Sequence, residues 1–172
     1  PYAFQTASDC EVINALYVED QPASFLNRLN GIFAFALWDK AKGRGIIARD
    51  PIGVCPLYWG HDREGRLRVA SEMKSLVDDC ADVAQFPPGH WYDTATGTLA
   101  KYYERPWRKY EAVEGVEVSP QELREAFEAA VHRQLMTDVP YGVLLSGGLD
   151  SSLVAAVAAR YARHRIEDGD RT

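Results

Sequence analysis

Hydrophobic and polar positions divide the chain into two stretches with different patterns. Up to about residue 103, short apolar runs alternate with turns rich in glycine, proline and aspartate. This spacing is typical of antiparallel strands joined by short connections. The predicted strand pairs are 32–38 with 45–49, 54–59 with 66–70, and 90–93 with 98–103. We therefore expect a mostly antiparallel sheet with helices on its faces.

Several helices are predicted in the first stretch. Ser8 and Glu11 have the spacing of a capping box, in which the serine caps the helix and the glutamate reaches back to it. Apolar residues then recur at helical intervals. The first strand, 32–38, is apolar at every position, so we expect it to be covered on both faces. The predicted helices are 8–19, 24–30 and 72–77.

From residue 119 the pattern changes. Ser119 is a favourable N-cap and Pro120 suits the first helical position, which predicts a helix to about residue 136. The apolar run 141–145 predicts a buried strand, and it is followed by a glycine loop and by an alanine-rich helix over 151–163. A helix, strand, glycine loop and second helix are typical of the start of a parallel α/β domain. We therefore expect one domain over 1–103, a linker over 104–118 and the start of a second domain over 119–172.

Composition and charge narrow the class of protein. The chain has 172 residues, 47% hydrophobic, with 25 acidic and 19 basic residues and a net charge of −6. This balance disfavours a general electrostatic nucleic-acid binder. The longest apolar run, 32–38, is far too short to cross a membrane. We expect no nucleic-acid or membrane partner.

Cysteine and histidine usage favours an ordinary cytoplasmic protein. Cys10, Cys55 and Cys80 are odd in number and widely spaced, so a disulfide framework is not expected and a reducing compartment fits better. No secretory leader opens the chain, which begins at Pro1. Metal-ligand spacing is absent among the four histidines, His61, His90, His132 and His164.

The segment 141–152 carries the most specific chemistry. An apolar run enters Ser146-Gly-Gly-Leu-Asp-Ser151, and a helix is predicted to follow at once. Backbone N–H groups at such a helix start converge on one point, and the helix dipole favours an anion there. No lysine follows the glycines, so this is not a Walker-type loop. Asp150 would either cap the helix or hold a magnesium ion that bridges phosphates.

This glycine loop resembles the pyrophosphate loop of the ATP pyrophosphatases that adenylate their substrates. The extended block 138–152 is similar to that of the glutamine-hydrolysing asparagine synthetases. Further blocks resemble that family's glutaminase domain and occur in the right order, so the resemblance covers nearly the whole chain: 8–13, 29–38, 48–53, 56–58 and 70–76.

The resemblance implies a fold for each stretch. The first would be part of an α+β glutaminase sheet sandwich of the N-terminal-nucleophile hydrolase type, and the second the start of an α/β domain of the ATP-pyrophosphatase type. It also implies an internal piece of an enzyme that converts aspartate, ATP and glutamine to asparagine through β-aspartyl-AMP, with Mg²⁺ screening the phosphates. The resemblance further implies that the full-length protein is a homodimer located in the cytoplasm.

The resemblance assigns site residues at matching positions. Asp9 corresponds to the aspartate that binds the α-ammonium of glutamine, whereas the residue type alone favours an acid in the first turn of a helix. The family's N-terminal cysteine nucleophile is not among the three cysteines, so we expect no catalytic residue in this sequence. The implied ATP-binding residues are Leu145, Ser146, Gly147, Gly148, Asp150 and Ser151, with Asp150 also the implied magnesium ligand.

Alternatives stay open at this point. A β-lactam-forming synthetase shares the frame and adenylates a carboxylate without using glutamine, and a non-enzymatic remnant would keep the sheet as an interaction module. Arg49 and Asp50 are weighed equally as a surface ion pair and as a brace for the glutaminase site.

Overall fold

The computed structural model describes residues 2–20, 22–137 and 139–167, and it gives no side-chain description at 22, 23 and 163–167. Asp138, which opens the block similar to the synthetases, and the side chain of His164 therefore lie outside the described part, as does the end of the predicted domain 119–172. Two compact units are present, Pro1–Arg108 and Lys109–Thr172. Each is described by itself.

The first unit contains two antiparallel sheets, as the alternating pattern predicts. Its strands are β1 (Ala34–Asp39), β2 (Arg44–Arg49), β3 (Tyr58–His61), β4 (Leu67–Ala70), β5 (Ala84–Gln85), β6 (His90–Asp93) and β7 (Thr98–Lys101). The four-stranded sheet has the order β1-β2-β6-β7, and the three-stranded sheet has the order β4-β3-β5. All three predicted hairpins are confirmed, since β1 pairs with β2, β3 with β4 and β6 with β7.

Strand β2 connects the two hydrophobic clusters of this unit. Ile46 and Ala48 belong to one cluster, and Ile47 between them belongs to the other. Successive side chains of a strand point to opposite faces, so β2 is covered on both sides. The first cluster is completed by Leu16 and Tyr17 of helix α1 (Glu11–Glu19) and by Phe25 and Leu26 of helix α2 (Pro22–Leu26).

The prediction that 32–38 is covered on both faces is wrong. Among the described strands, β1 lies at the edge of its sheet, and its burial alternates between half-buried and exposed positions. Phe35 and Leu37 pack on the first cluster, whereas Trp38 is exposed. On the other face of β1, Ala34 contacts the second cluster but Ala36 and Trp38 are exposed, so the strand covered on both faces is β2.

Three local predictions in the first unit need correction. The helix predicted over 24–30 is the shorter Pro22–Leu26. Glu11 does not reach back to Ser8: helix α1 begins at Glu11 itself, and the Glu11 carboxylate accepts hydrogen bonds from earlier residues. The predicted helix at 72–77 is a single 3-10 turn, Met73–Ser75, without a side-chain cap. Strand β5 was not predicted, because two residues are too few to show an alternating pattern.

The second unit contains the predicted pair of helices. Helix α3 spans Pro120–Arg133, and the Ser119 hydroxyl accepts from the Glu122 amide at 3.2 Å, so the predicted N-cap is confirmed. Helix α4 spans Leu149–Glu167, beginning two residues earlier than predicted. None of the described helices combines the length and hydropathy needed to cross a bilayer.

The predicted buried strand at 141–145 is wrong within the described part of the chain. These residues are exposed and belong to no strand, and Leu144 is 95% exposed. A strand exists only where a neighbouring strand supplies hydrogen bonds, and a parallel neighbour is reached only through a long crossover. No described strand of the second unit offers that partner.

Candidate functional site

The glycine loop of the second unit turns sharply just before helix α4. Gly147 has a φ of +85°, in the left-handed region that strains any residue with a Cβ atom. The helix begins two residues later at Leu149, with Asp150 in its first turn. A continuous helix through Gly147 is therefore excluded, and the start of α4 lies directly after the loop.

Serine hydroxyl groups hold this loop against the helix start. The Oγ atoms of Ser146 and Ser151 lie 2.9 Å apart, and Ser146 Oγ also accepts from the Gly148 amide at 3.4 Å. The hydroxyls of Ser151 and Ser152 donate to the Gly148 carbonyl at 3.1 and 2.8 Å. The loop is thus stabilised by bonds among its own residues.

Free space surrounds the glycines. A Cβ atom built on Gly147 would meet no atom within 4 Å, and one on Gly148 would meet only Ser146 Oγ at 3.6 Å. The flanking side chains of Leu145 and Asp150 are exposed. An anion can therefore approach the backbone here, where the helix dipole favours it.

The donor set suits phosphate groups better than a metal ion held by protein alone. Asp150 is a single carboxylate, and among the described residues no group of three or more His, Cys, Asp or Glu side chains is arranged to hold a metal. Magnesium is commonly bound by one or two carboxylates together with substrate phosphates. Asp150 therefore fits Mg²⁺ only as one ligand beside a bound polyphosphate.

Asp9 lies in the first unit, in the turn that leads into helix α1. Its carbonyl accepts from the Val12 amide at 3.3 Å, which belongs to the start of the helix. The Asp9 side chain is exposed. An exposed carboxylate in this position is open to a cationic group of a ligand.

Glu11 is the buried neighbour of Asp9, and it was misread from the sequence. It is 8% exposed, and one carboxylate oxygen accepts from the Gln5 amide at 2.8 Å and the Tyr2 hydroxyl at 3.2 Å. The other oxygen accepts from the Thr6 amide at 2.7 Å and from the Thr6 hydroxyl. These hydrogen bonds, that of the Thr6 hydroxyl first, lower the pKa of Glu11.

Arg49 and Asp50 brace the loop 50–55 and are not a surface ion pair. Both are 2% exposed. The Asp50 carboxylate accepts from four consecutive amides, those of residues 52–55, at 2.6–3.2 Å. The Arg49 guanidinium donates to the carbonyls of Gly53, Cys55 and Phe86. Neighbouring side chains at a strand end point in opposite directions, so of the two equally weighted interpretations the ion pair is the wrong one.

Comparison with known proteins identifies the class. Residues 1–78 match the model of a glutamine amidotransferase domain, and residues 122–168 match that of asparagine synthase. Helices α1 and α2 and strands β1 to β4 lie in the first matched region, and the glycine loop that opens α4 lies in the second. The chain therefore belongs to the class of proteins in which a glutamine amidotransferase domain is followed by an asparagine synthase domain, of which it contains the start.

Relatives narrow that class to a family. Asparagine synthetase B [glutamine-hydrolyzing] of Escherichia coli (strain K12) is 51% identical over 171 residues, covering 99% of this chain and 31% of the relative. An asparagine synthetase of Sandersonia aurantiaca is 52% identical over 160 residues, covering 93% of this chain and 30% of the relative. The chain belongs to the glutamine-hydrolysing asparagine synthetase family, and it spans about 31% of the length of such relatives.

Proposed function

We propose that this chain is part of an ATP-dependent asparagine synthetase that uses glutamine as its nitrogen donor. The observation that carries the proposal is the loop at Gly147, whose positive φ, open space and serine hydroxyls suit a pyrophosphate group at the start of α4. The similarity to synthetases over 99% of the chain supports the same assignment. The substrates proposed are aspartate, ATP and glutamine.

The proposed chemistry has two parts. Glutamine is hydrolysed to glutamate and ammonia by a cysteine nucleophile outside this sequence, with Asp9 binding the α-ammonium group through its exposed carboxylate. The β-carboxylate of aspartate attacks the α-phosphorus of ATP, releasing pyrophosphate and giving β-aspartyl-AMP. Ammonia then displaces AMP to form asparagine.

The ATP-binding residues proposed are those of the loop and the first turn of α4. The amides of Gly147 and Gly148 and the hydroxyls of Ser146 and Ser151 would bind the pyrophosphate part of ATP, and the backbone of Leu145 would contact the nucleotide. Bound Mg²⁺ would neutralise phosphate charge. Asp150 is the residue proposed to hold it.

Fold and domain assignments accompany this function as proposals. Residues 1–103 would be part of a glutaminase sandwich of the N-terminal-nucleophile hydrolase type, 104–118 a linker, and 119–172 the start of an ATP-pyrophosphatase-type domain. The antiparallel sheets and the helix that follows the glycine loop support these assignments. We also propose a cytoplasmic homodimer as the full-length form.

The test follows the amide nitrogen of glutamine. The full-length protein that contains this chain is incubated with aspartate, ATP and glutamine labelled with ¹⁵N in its side-chain amide. The proposal requires ¹⁵N in the side-chain amide of asparagine, with one AMP and one pyrophosphate formed for each asparagine. Adenylation of a carboxylate without nitrogen transfer would instead favour a ring-closing synthetase, and absence of nucleotide binding would favour a non-enzymatic module.

A further inference from the structure

Glu11 directs its whole carboxylate toward the segment that precedes helix α1. Its acceptor oxygens bind four donors from Tyr2, Gln5 and Thr6, and it has no cationic partner among the described residues. A buried carboxylate without a cation is costly unless its oxygens are fully hydrogen-bonded. The segment 2–6 meets this need, and the carboxylate in turn fixes the segment.

A chain of hydrogen bonds continues from this anchor to both sides of Asp9. The Thr6 hydroxyl, bound to Glu11, accepts from the Ser8 amide at 3.2 Å. The Ser8 hydroxyl accepts from the Cys10 amide at 3.3 Å, and the Ser8 carbonyl accepts from the Glu11 amide at 3.2 Å. Asp9 lies between the two residues that this chain holds, and its own side chain stays exposed.

We propose that Glu11 is a positioning residue for glutamine recognition: its carboxylate fixes residues 2–10 in the path that presents Asp9 at the start of α1. This proposal rests on the proposed role of Asp9 in binding the α-ammonium of glutamine. Glu11 does not touch the substrate and acts through the backbone of the turn. The lowered pKa of Glu11 agrees with a carboxylate that stays ionised and accepts from every side.

The test is the variant Glu11→Gln in the full-length protein. A glutamine side chain keeps the size but has one acceptor oxygen, and its amino group can only donate toward the amide and hydroxyl donors that face it. We expect the KM for glutamine to rise about 10-fold or more, because small displacements of a positioning group cost up to about 100-fold. Asparagine formation from ammonia should be unchanged, since it does not need Asp9.

The matched control is Glu19→Gln, at the other end of the same helix. Glu19 is half exposed, and its ion pair with Arg28 is long, at 3.7 Å. Removing the Glu19 charge should therefore leave the KM for glutamine unchanged. Equal KM values for the Glu11→Gln variant and the wild type would overturn the proposal. Parallel loss of glutamine-dependent and ammonia-dependent activity would overturn it too, because that pattern shows a general structural role.

A double variant separates positioning from stability. If Glu11 acts through Asp9, the variant Asp9→Asn with Glu11→Gln should have the KM for glutamine of Asp9→Asn alone, whereas independent effects would multiply. Multiplied effects would contradict the proposal. An Asp9→Asn variant with normal glutamine use would instead refute the role of Asp9, and with it the proposal for Glu11.

Should Glu11→Gln fail to fold, Thr6→Val gives the second test. This change removes the hydroxyl that links Glu11 to the Ser8 amide, while it keeps the backbone amide bond of Thr6 to Glu11. We expect a smaller rise in the KM for glutamine with ammonia use unchanged. An unaltered KM in this folded variant would overturn the positioning role.

Discussion

The two units fix their candidate site residues by different means. In the first unit, two buried carboxylates are hydrogen-bonded on every side, Asp50 by four amides and Glu11 by the segment that leads to the exposed Asp9. In the second unit, the loop at Gly147 is exposed and held by its own serine hydroxyls and by a backbone φ that glycine permits. The first arrangement depends on tertiary packing and the second on local sequence, so substitutions should affect them unequally.

The largest expected effect is the loss of a core side chain in the first unit. Phe86 is fully buried in the second cluster, and Phe86→Ala should cost about 3–5 kcal/mol of stability because it removes contacts and leaves a cavity. Leu144→Ala, at an exposed position of the second unit, should stay within about 0.5 kcal/mol. Urea unfolding of the chain followed by circular dichroism measures both, and similar losses would contradict the comparison.

A buried carboxylate should matter almost as much. Asp50→Ala leaves the four amides of residues 52–55 without their acceptor, and each buried unsatisfied group costs about 1–3 kcal/mol. Partial solvation of the loop reduces the sum, so we expect a loss of about 3 kcal/mol. The control is Asp79→Ala, an exposed aspartate of the same unit, with no measurable change. All four tryptophans lie within residues 1–108, so their fluorescence during unfolding measures this unit.

Two glycines with positive φ give a sharper contrast. Gly53 has a φ of +77°, and an added Cβ would lie 2.6 Å from Pro88 Cγ, so Gly53→Ala adds a clash to the backbone strain. We expect a loss of about 2–3 kcal/mol. Gly147→Ala meets no neighbour, and only the strain of about 1 kcal/mol remains. Equal unfolding free energies for the two variants would show that packing around Gly53 yields easily.

We expect acid to lower the stability of the first unit by protonating its buried carboxylates. This effect should be smaller than those of the substitutions above. Burial alone would raise the pKa of Asp93. The Arg44 guanidinium donates to both oxygens of Asp93, at 3.0 and 2.9 Å, and the Ala95 amide and Thr96 hydroxyl donate to it as well. Together these hydrogen bonds outweigh burial and lower the pKa. A carboxyl group whose pKa is lower in the folded state than in the unfolded state stabilises the folded protein at pH values above the unfolded pKa, which is about 3.9. That contribution is lost as the pH falls from the unfolded pKa through the lower folded pKa. Unfolding midpoints measured from pH 6 to pH 2 should fall mainly below about pH 4, and less steeply in Asp93→Asn. A flat profile would contradict this.

The sequence predicted those features that local residue types determine. The three hairpins follow from turn residues between short apolar runs, and the cap of α3 follows from Ser119 and Pro120 alone. The turn at Gly147 follows equally from the glycine pair before an alanine-rich helix. In each case the deciding contacts lie within a few residues of one another.

Features that need distant partners were missed or misread. The run 141–145 has the composition of a buried strand, yet strand formation requires a neighbour that the described residues do not offer. Glu11 was assigned to a capping box because the fold-back of residues 2–6 is invisible in the pattern. The edge position of β1 and the burial of Arg49 depend likewise on how other strands pack.

The most direct test of a synthetase with separate glutamine and ATP sites is Asp150→Ala in the full-length protein. Two rates are measured on the same preparation: exchange of labelled pyrophosphate into ATP with aspartate present, and hydrolysis of glutamine. We predict that exchange falls about 100-fold or more, as for other preorganised charge-stabilising groups, while glutamine hydrolysis persists. Exchange near the wild-type rate in a normally folded variant would contradict the account and make Asp150 only a helix-capping residue.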